Sequence, residues 1–531
     1  MALHPESPFD LLVVGGGIQG ACLLREAAMR GKRCLLLEQG DFGSGTSSAS
    51  LKVIHGGLRY LQHLNLKRMR ESILSRRLFQ QVMPHLTLPV RFVMPTRGWA
   101  VKGRMAFRIA LMLNEMISWD RNHGVPRWRW IRNGRVVDKN LLMQWFPGLI
   151  ANEDWTGAGV WDEVVLQNTE RAAVEFLIEA MDQGAKVLNY HRVEKIAPSP
   201  RGWRVTVRAV ESGEEFEVDA PKLGLCTGPE VLESLFPTPR KLRPLSLVRA
   251  VNLVVNKRLV SERALGLEGG EDFHDRGALV QKGQRLFFMV PYGTMTMVGT
   301  WYDELDPALA DPRQVSDDEV AKMVSEINAA NDGLNFSPDE VAYLHVGLLH
   351  KDPESGDGTV AAQPCKESTV EELDMGIHWF RSVKYTTAPE LARSWARRHL
   401  GGPKRFPPPP VKADAEERPN LHAAFRPLAA TYGVRTASKI LSISGTRGYW
   451  LSLDPAIWSG EIKYVAEYEW VRHLDDFVLR RNGFGTRIAP GRVLLEKLAE
   501  AFGAILDWDE DRRREEVARV EAFYYRPLSA G

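Results

Sequence analysis

The sequence predicts an α/β protein in three parts: a Rossmann-like domain on a parallel sheet, a second domain on an antiparallel sheet, and an all-helical C-terminal domain. Three observations carry this reading. A short apolar strand, Leu11–Val14, runs into a glycine-rich turn and then a helix. The stretch FFMVPYGTMTMVGTW, Phe287–Trp301, alternates as a hairpin turned at Tyr292-Gly293-Thr294 would. Beyond a proline-rich segment at 401–419, the chain from Asn420 to Arg526 is periodic and helical, with Glu461–Arg481 its strongest element.

The first element is also the most informative. Gly15-x-Gly17-x-x-Gly20 leads into a helix from Ala21 to about Arg30, and a second apolar strand, Cys34–Leu37, ends at Glu38. The glycines allow a tight turn and close backbone approach, the helix N-terminus faces phosphates, and the carboxylate takes a ribose hydroxyl about 20 residues on. Gly15, Gly17, Ile18, Gln19, Gly20, Glu38 and Gln39 are therefore the expected dinucleotide contacts. The next block of the chain selects the dinucleotide. Asp41–Leu61, DFGSGTSSASLKVIHGGLRYL, is rich in hydroxyls and carries a His-Gly-Gly turn. A nicotinamide site does not need these, whereas a buried flavin does: small polar side chains reach its diphosphate and ring, and paired glycines let backbone approach.

At this point the chain resembles the FAD-dependent glycerol-3-phosphate dehydrogenases, within the wider D-amino-acid-oxidase-like flavoproteins. VVGGGIQGA (Val13–Ala21), the TSSAS–K–IHGGLRYL block and MPHLTLPVRFVMP (Met83–Pro95) carry the likeness, which runs over almost the whole chain. It implies FAD as cofactor, with Thr46, Ser47, Ser48, Lys52, Ile54, His55, Gly56 and Gly57 around it. Val193 lies on the adenine side, Thr227 and Gly228 under the diphosphate, and Val383, Lys384, Tyr385 and Thr386 near the ring. It implies residues 1–95, 151–245 and 345–400 as a discontinuous FAD-binding domain and 96–150 with 246–344 as the substrate domain. An extended Pro-rich spacer at 401–419 and a helical domain at 420–531 complete the chain.

Bulk properties fit an intracellular enzyme. A chain of 531 residues exceeds one core, and 44% apolar with 26% charged residues is ordinary for a globular protein. A net charge of +2 leaves no nucleic-acid footprint. Cys22, Cys34, Cys226 and Cys365 stand singly, without metal spacing, as in a reducing compartment. The polar start MALHPESPFD is no signal peptide, no apolar run spans a membrane, and a cytoplasmic location is expected. Arg97–Trp119 is a helix-like segment with Lys102, Arg104 and Arg108 among large apolar residues. The favoured reading is a core-packing helix; the other is a basic amphipathic helix on a membrane surface, which suits a family that passes electrons to quinone.

Oxidising a secondary alcohol with a flavin needs a hydride path to the ring, a base for the hydroxyl proton and cations for a phosphate dianion. The resemblance implies Arg59, Tyr60 and Lys384 in the substrate pocket, with His55 the best candidate for the base. Four departures lie on that side. Leu349 stands where the family has the arginine of Gly-Val-Arg-Pro, Asn252 where it has a histidine, and Ser382-Val383 where it has Gly-Gly. Trp301-Tyr302 replaces its Thr-Asp. His350 and Lys351 are the candidates to replace the lost arginine. Three readings stay open: oxidation of glycerol 3-phosphate, the same scaffold on a less anionic hydroxy or amino compound, and a flavin-binding or interaction protein without turnover.

Overall fold

Leu11, Val13 and Leu36 face one side of a parallel sheet, Leu12, Val14, Leu35 and Leu37 the other, and both sides are buried. A parallel sheet needs cover on both faces. The computed structural model describes residues 8–98, 103–229, 235–236, 246–272, 284–305, 311–353, 362–409 and 422–524. In it this sheet has six strands, in the order Thr369–Asp374, Ile377–Arg381, Leu223–Leu225, Leu11–Val14, Cys34–Leu37 and Lys186–Leu188. All pair in parallel except the edge strand Thr369–Asp374. Helices Ile18–Ala28, Thr169–Asp182 and Ala388–Leu400 cover one face. The three-stranded sheet His191–Ser199, Gly202–Ala209 and Glu215–Ala220 covers the other.

A nine-stranded sheet forms the second layer. From one edge it runs Val341–His350, Leu247–Val255, Met295–Glu304, Gln284–Tyr292, Arg263–Asp272, Thr87–Arg97, Trp155–Leu166 and Val53–Ile54, with Arg135–Asp138 also on Trp155–Leu166. The hairpin expected around Gly293 is present. Every pairing is antiparallel except Arg263–Asp272 on Thr87–Arg97. Strands Thr87–Arg97, Trp155–Leu166 and Val341–His350 lie in this sheet, so the chain enters the layer earlier, and leaves it later, than the division at 95, 151 and 345 places it. One long hairpin-like pairing, Thr87–Arg97 on Trp155–Leu166, carries it there.

The segment Arg97–Trp119 corrects the favoured sequence reading. Residues 99–102, Lys102 among them, lie outside the described residues; Arg104–Ile117 is a helix, but only Leu111 of it is buried. Met105, Met112 and Met116 are 58–66% exposed and Trp119 is 80% exposed. This is an amphipathic helix with its apolar face outward, not a core-packing one.

The C-terminal domain is helical with one addition, a two-stranded ribbon of Trp450–Leu453 and Ala456–Trp458. Its helices are Phe425–Ser444, Ser459–Tyr468, Arg492–Leu506 and Glu510–Tyr524. The expected continuous helix Glu461–Arg481 breaks after Tyr468 and resumes as a π-helical turn, Asp476–Arg481. Between them, buried carboxylates take the amides that a helix would use: Asp476 accepts from the Arg472 and His473 N–H at 2.8 and 2.9 Å, and Glu516 from that of Leu474 at 2.8 Å. The spacer is not free either. Arg30 donates to the Gly401 carbonyl at 2.9 Å and Arg393 to that of Lys404 at 2.9 Å, while 410–421 lie outside the described residues.

Glu461 is 1% exposed and accepts from the Tyr432 hydroxyl at 2.6 Å and the Asn482 amide at 2.7 Å. Burial pushes its carboxyl up to about 7, from an ordinary 4.5, against the opposing pull of those bonds. The folded state therefore binds the extra proton across that window, and stability falls as pH rises through it. Glu461→Gln is expected to flatten the fall in unfolding temperature between about pH 5 and 7, and to melt a few degrees above the native chain at about pH 8. A variant that melts below the native chain at the higher pH would count against a protonated Glu461.

Candidate active site

The first strand, the glycine turn and the helix after it open onto a cavity of about 1550 Å³. Gly15 has φ of +104°, and a Cβ there would lie 2.4 Å from the Cys226 carbonyl oxygen. A Cβ on Gly20 would lie 1.9 Å from the Gly15 oxygen, so this glycine serves helix-to-strand packing and is absent from the lining. Gly17 precedes the helix, whose first turn carries no acidic residue. Its N-terminal amides thus offer positive potential to the cavity. Gln19 lines the cavity 5% exposed, and neither carboxamide atom has a partner within the protein. A buried orphan of this kind calls for a polar ligand. Glu38 accepts from the Gly16 and Gly40 amides at 2.5 and 2.8 Å, holding its carboxylate beside the turn. Gln39, Val193, Thr227 and Gly228 extend the same wall. The arrangement fits a dinucleotide diphosphate and ribose.

The hydroxyl-rich loop runs along the cavity, but its hydroxyls serve the protein first. Ser47 Oγ accepts from the Ile18 amide at 3.0 Å, Thr46 Oγ1 donates to the Leu348 carbonyl at 2.9 Å, and Ser48 Oγ donates to Gly45 at 2.8 Å. Thr46 and Ser47 line the cavity; Ser48 does not. Lys52, Ile54 and Gly56 are also outside the lining. Lys52 is 1% exposed, its ammonium 3.0 Å from Glu170 and 3.1 Å from the Thr169 hydroxyl. Ile54 belongs to the core, and a Cβ on Gly56 would meet the Arg76 guanidinium at 2.2 Å.

The far end brings the expected substrate residues together. His55, Gly57, Arg59, Tyr60, Val383, Lys384, Tyr385 and Thr386 all line the cavity. Lys384 Nζ donates to the Tyr60 hydroxyl at 2.6 Å. Tyr385 turns its own hydroxyl away, to the Thr169 carbonyl at 2.5 Å. His55 lies beside the touching Phe92 and Phe288 rings, at 6.2 and 6.0 Å. Its Nδ1 is 3.8 Å from Glu163, which sequence reading passed over. Glu163 is 2% exposed and accepts from Arg76 at 2.6 Å, the Gly56 amide at 2.6 Å and Trp161 Nε1 at 3.2 Å. Burial raises its carboxyl, but Arg76, His55 and the Gly56 amide outweigh burial and hold it below the usual range. The strand period was the available signal: Trp161, Glu163 and Val165 share one face of Trp155–Leu166. Tyr302, one of the substrate-side departures noted in the sequence, is also here. It lines the cavity beside Arg59 and the Thr300 hydroxyl, with burial pushing its phenol up.

The departures have definite places. Asn252 is 1% exposed and fully engaged: its amide donates to the Ala49 carbonyl at 3.2 Å, and its oxygen accepts from Thr300 at 2.7 Å. It ties loop to sheet rather than handling protons. Leu349 lines the cavity. Neither candidate replaces the absent arginine. Burial, with Arg381 nearby, lowers the His350 imidazole to about 4, so it is neutral at ordinary pH; Lys351 is ion-paired with Glu304. Arg285 and Arg313, not foreseen from the sequence, do line the cavity.

Residues 10–353 match the FAD dependent oxidoreductase family, and residues 400–513 match the C-terminal domain of alpha-glycerophosphate oxidase. The chain is 26% identical to the glycerol-3-phosphate dehydrogenase of Pseudomonas aeruginosa over 522 residues, 92% of this chain and 95% of that one. It is 28% identical to the enzyme of that name from Synechocystis sp. over 349 residues, 65% of this chain but only 61% of the relative. The structure of glycerol-3-phosphate dehydrogenase from Bacillus halodurans complexed with FAD covers 98% of this chain and 95% of its own, with a TM-score of 0.69 at 19% identity, a likeness of fold. A cavity shaped for a dinucleotide, on an α/β fold closed by a helical C-terminal domain, thus has FAD as its cofactor, and the chain belongs to the FAD-dependent oxidoreductase family.

Proposed function

We propose that the chain oxidises sn-glycerol 3-phosphate at C2 to dihydroxyacetone phosphate and passes the electrons to a quinone. The observation that carries this reading is the convergence of Arg59, Tyr60 and Lys384 with His55 at one end of the dinucleotide cavity. Relatives named glycerol-3-phosphate dehydrogenase align over nearly the full chain and support it. FAD supplies the acceptor for the hydride that leaves C2. Arg59 and Lys384 give a phosphate dianion charge-assisted hydrogen bonds, and Tyr60, already bonded to Lys384, orients that ammonium. His55 takes the C2 hydroxyl proton, and the Glu163 carboxylate 3.8 Å away stabilises the imidazolium that forms. Phe92 and Phe288 border the imidazole on one side, and its other side stays open to the cavity.

Leu349 in the cavity wall and the neutral His350 favour a second reading, oxidation of a less anionic hydroxy or amino compound on the same scaffold. Anaerobic addition of glycerol 3-phosphate separates the two, followed at the oxidised flavin band near about 450 nm. Rapid bleaching supports the first; a protein that stays yellow moves the assignment to the second.

The outward apolar face of Arg104–Ile117 supports the acceptor. Ala106, Phe107, Ile109, Ala110 and Leu113 of this helix line the cavity, while Met105, Met112 and Met116 face outward. One helix thus borders both the cavity and an apolar surface through which a lipid-soluble acceptor could arrive. Among the described residues no helix is long and apolar enough to cross a membrane; the contact this amphipathic face supports is a peripheral one, which we place on the inner face.

Arg59→Ala is expected to keep its flavin and to raise KM for glycerol 3-phosphate roughly 10- to 100-fold; unaltered steady-state kinetics would remove Arg59 from the site. Met112→Glu combined with Met116→Glu is expected to abolish co-sedimentation with anionic phospholipid vesicles and quinone reduction in them, while reduction of a water-soluble dye persists. Retained co-sedimentation would separate this helix from membrane contact.

A further inference from the structure

The C-terminal domain meets the dinucleotide-binding domain at several buried contacts, Arg171 with Glu469 and Tyr190 with Asp476 among them, and one of these is the loop after Glu38. Asp41 is 2% exposed, and both its oxygens are taken by the domain's π-helical turn. Arg481 holds it with two bonds of 2.7 Å, and Arg480 Nε adds a third at 2.6 Å. Arg480 is steadied by Asp475 and Asp476 at 2.6 and 2.7 Å, and Arg481 by the Glu469 carbonyl at 2.8 Å. Next along the loop, Phe42 is fully buried and meets the Trp470 ring edge-on at 5.4 Å. The other side of Phe42 rests on the phosphate turn: a Cβ on Gly16 would lie 2.6 Å from the Phe42 ring. Gly43 donates to the Gly16 carbonyl at 3.1 Å. Further on, His345 bridges the Ser48 carbonyl at 3.0 Å and the Thr486 carbonyl at 3.1 Å.

The stretch 469–486 therefore grips the start of the loop directly and reaches its end only through His345 of the nine-stranded sheet, while the loop's middle lines the cavity at Ser44, Gly45, Thr46 and Ser47. We propose that Arg480 and Arg481, through Asp41, and Trp470, through Phe42, are positioning residues for FAD: the C-terminal domain sets the loop against the glycine turn, and FAD affinity depends on that hold. Two features separate this from an ordinary domain contact. The charges are buried and mutually satisfied, so the loop has one low-energy placement and a partner removed leaves a charge stranded. The contact also continues without a gap into the turn that faces the diphosphate, through Phe42 and Gly43. The inference rests on FAD as cofactor and holds for any substrate.

Coupling of this kind is reciprocal, so FAD must tighten the C-terminal domain as much as the domain tightens FAD. Hydrogen exchange on the full native chain, with and without FAD, tests it directly. Peptides across 469–486 are expected to gain protection on binding FAD, and unchanged exchange there would overturn the proposal. In the same chain, Asp41→Asn and the milder Phe42→Leu are expected to weaken FAD binding about tenfold or more, within the usual range of site-to-site coupling. Adding Arg481→Gln to Asp41→Asn is expected to cost little more, because both act along one path. A merely structural contact would lower the unfolding temperature of the FAD-free protein and leave FAD affinity within about twofold, and that result would overturn the proposal. Should Asp41→Asn not fold, Phe42→Leu and the exchange experiment decide alone.

Discussion

The loop Asp41–Ser50 is the constraint on which the site depends. It must approach the glycine turn closely enough for the Ser47 oxygen to take the Ile18 amide at 3.0 Å, and it is held there from three directions. Asn252 and Thr46 fasten it to the nine-stranded sheet, Arg480 and Arg481 to the C-terminal domain, and Gly43 to the turn itself. Gly347 shows how tight the fit is, since a Cβ there would lie 3.0 Å from both Ala49 and Thr46 side-chain carbons. The cavity is thus lined from both sheet layers, with the C-terminal domain holding one loop of its wall.

Much of this was legible in the sequence because it rests on local rules. The strand–glycine–helix unit, the hairpin at Gly293 and the buried alternation of Leu11–Val14 arise from short-range periodicity and backbone sterics. What escaped was non-local. Lys52 reads as a cofactor contact in its block, but its partner Glu170 is more than a hundred residues away, and the ion pair turns it inward. Glu163 became visible only when Trp155–Leu166 crossed into the second sheet and brought its carboxylate beside His55. The break after Tyr468 is invisible to helical periodicity, since Asp476 takes the Arg472 and His473 amides within the segment while Glu516 takes that of Leu474 from 42 residues away.

The substrate side shows the same logic. Replacing a histidine by Asn252 removes a titratable group and adds a two-way amide clamp between loop and sheet. Where the resemblance implies an arginine, Leu349 lines the cavity, and Arg59, Lys384, Arg285 and Arg313 line it too. The cofactor end is built largely from backbone geometry, the glycine turn and the amides beside Glu38, whereas the other end is built from side chains.

The antiparallel edge strand Thr369–Asp374 has a consequence for solubility. An unpaired strand edge is an open template for another chain, and this one carries Glu371, Glu372 and Asp374 within six residues. A second copy docking its own edge in antiparallel register would set carboxylates against carboxylates, with only Arg381 of the next strand, 3.9 Å from Glu371, to offset them. The parallel sheet ends in a row of negative charge, and that row keeps it from growing from one molecule into the next.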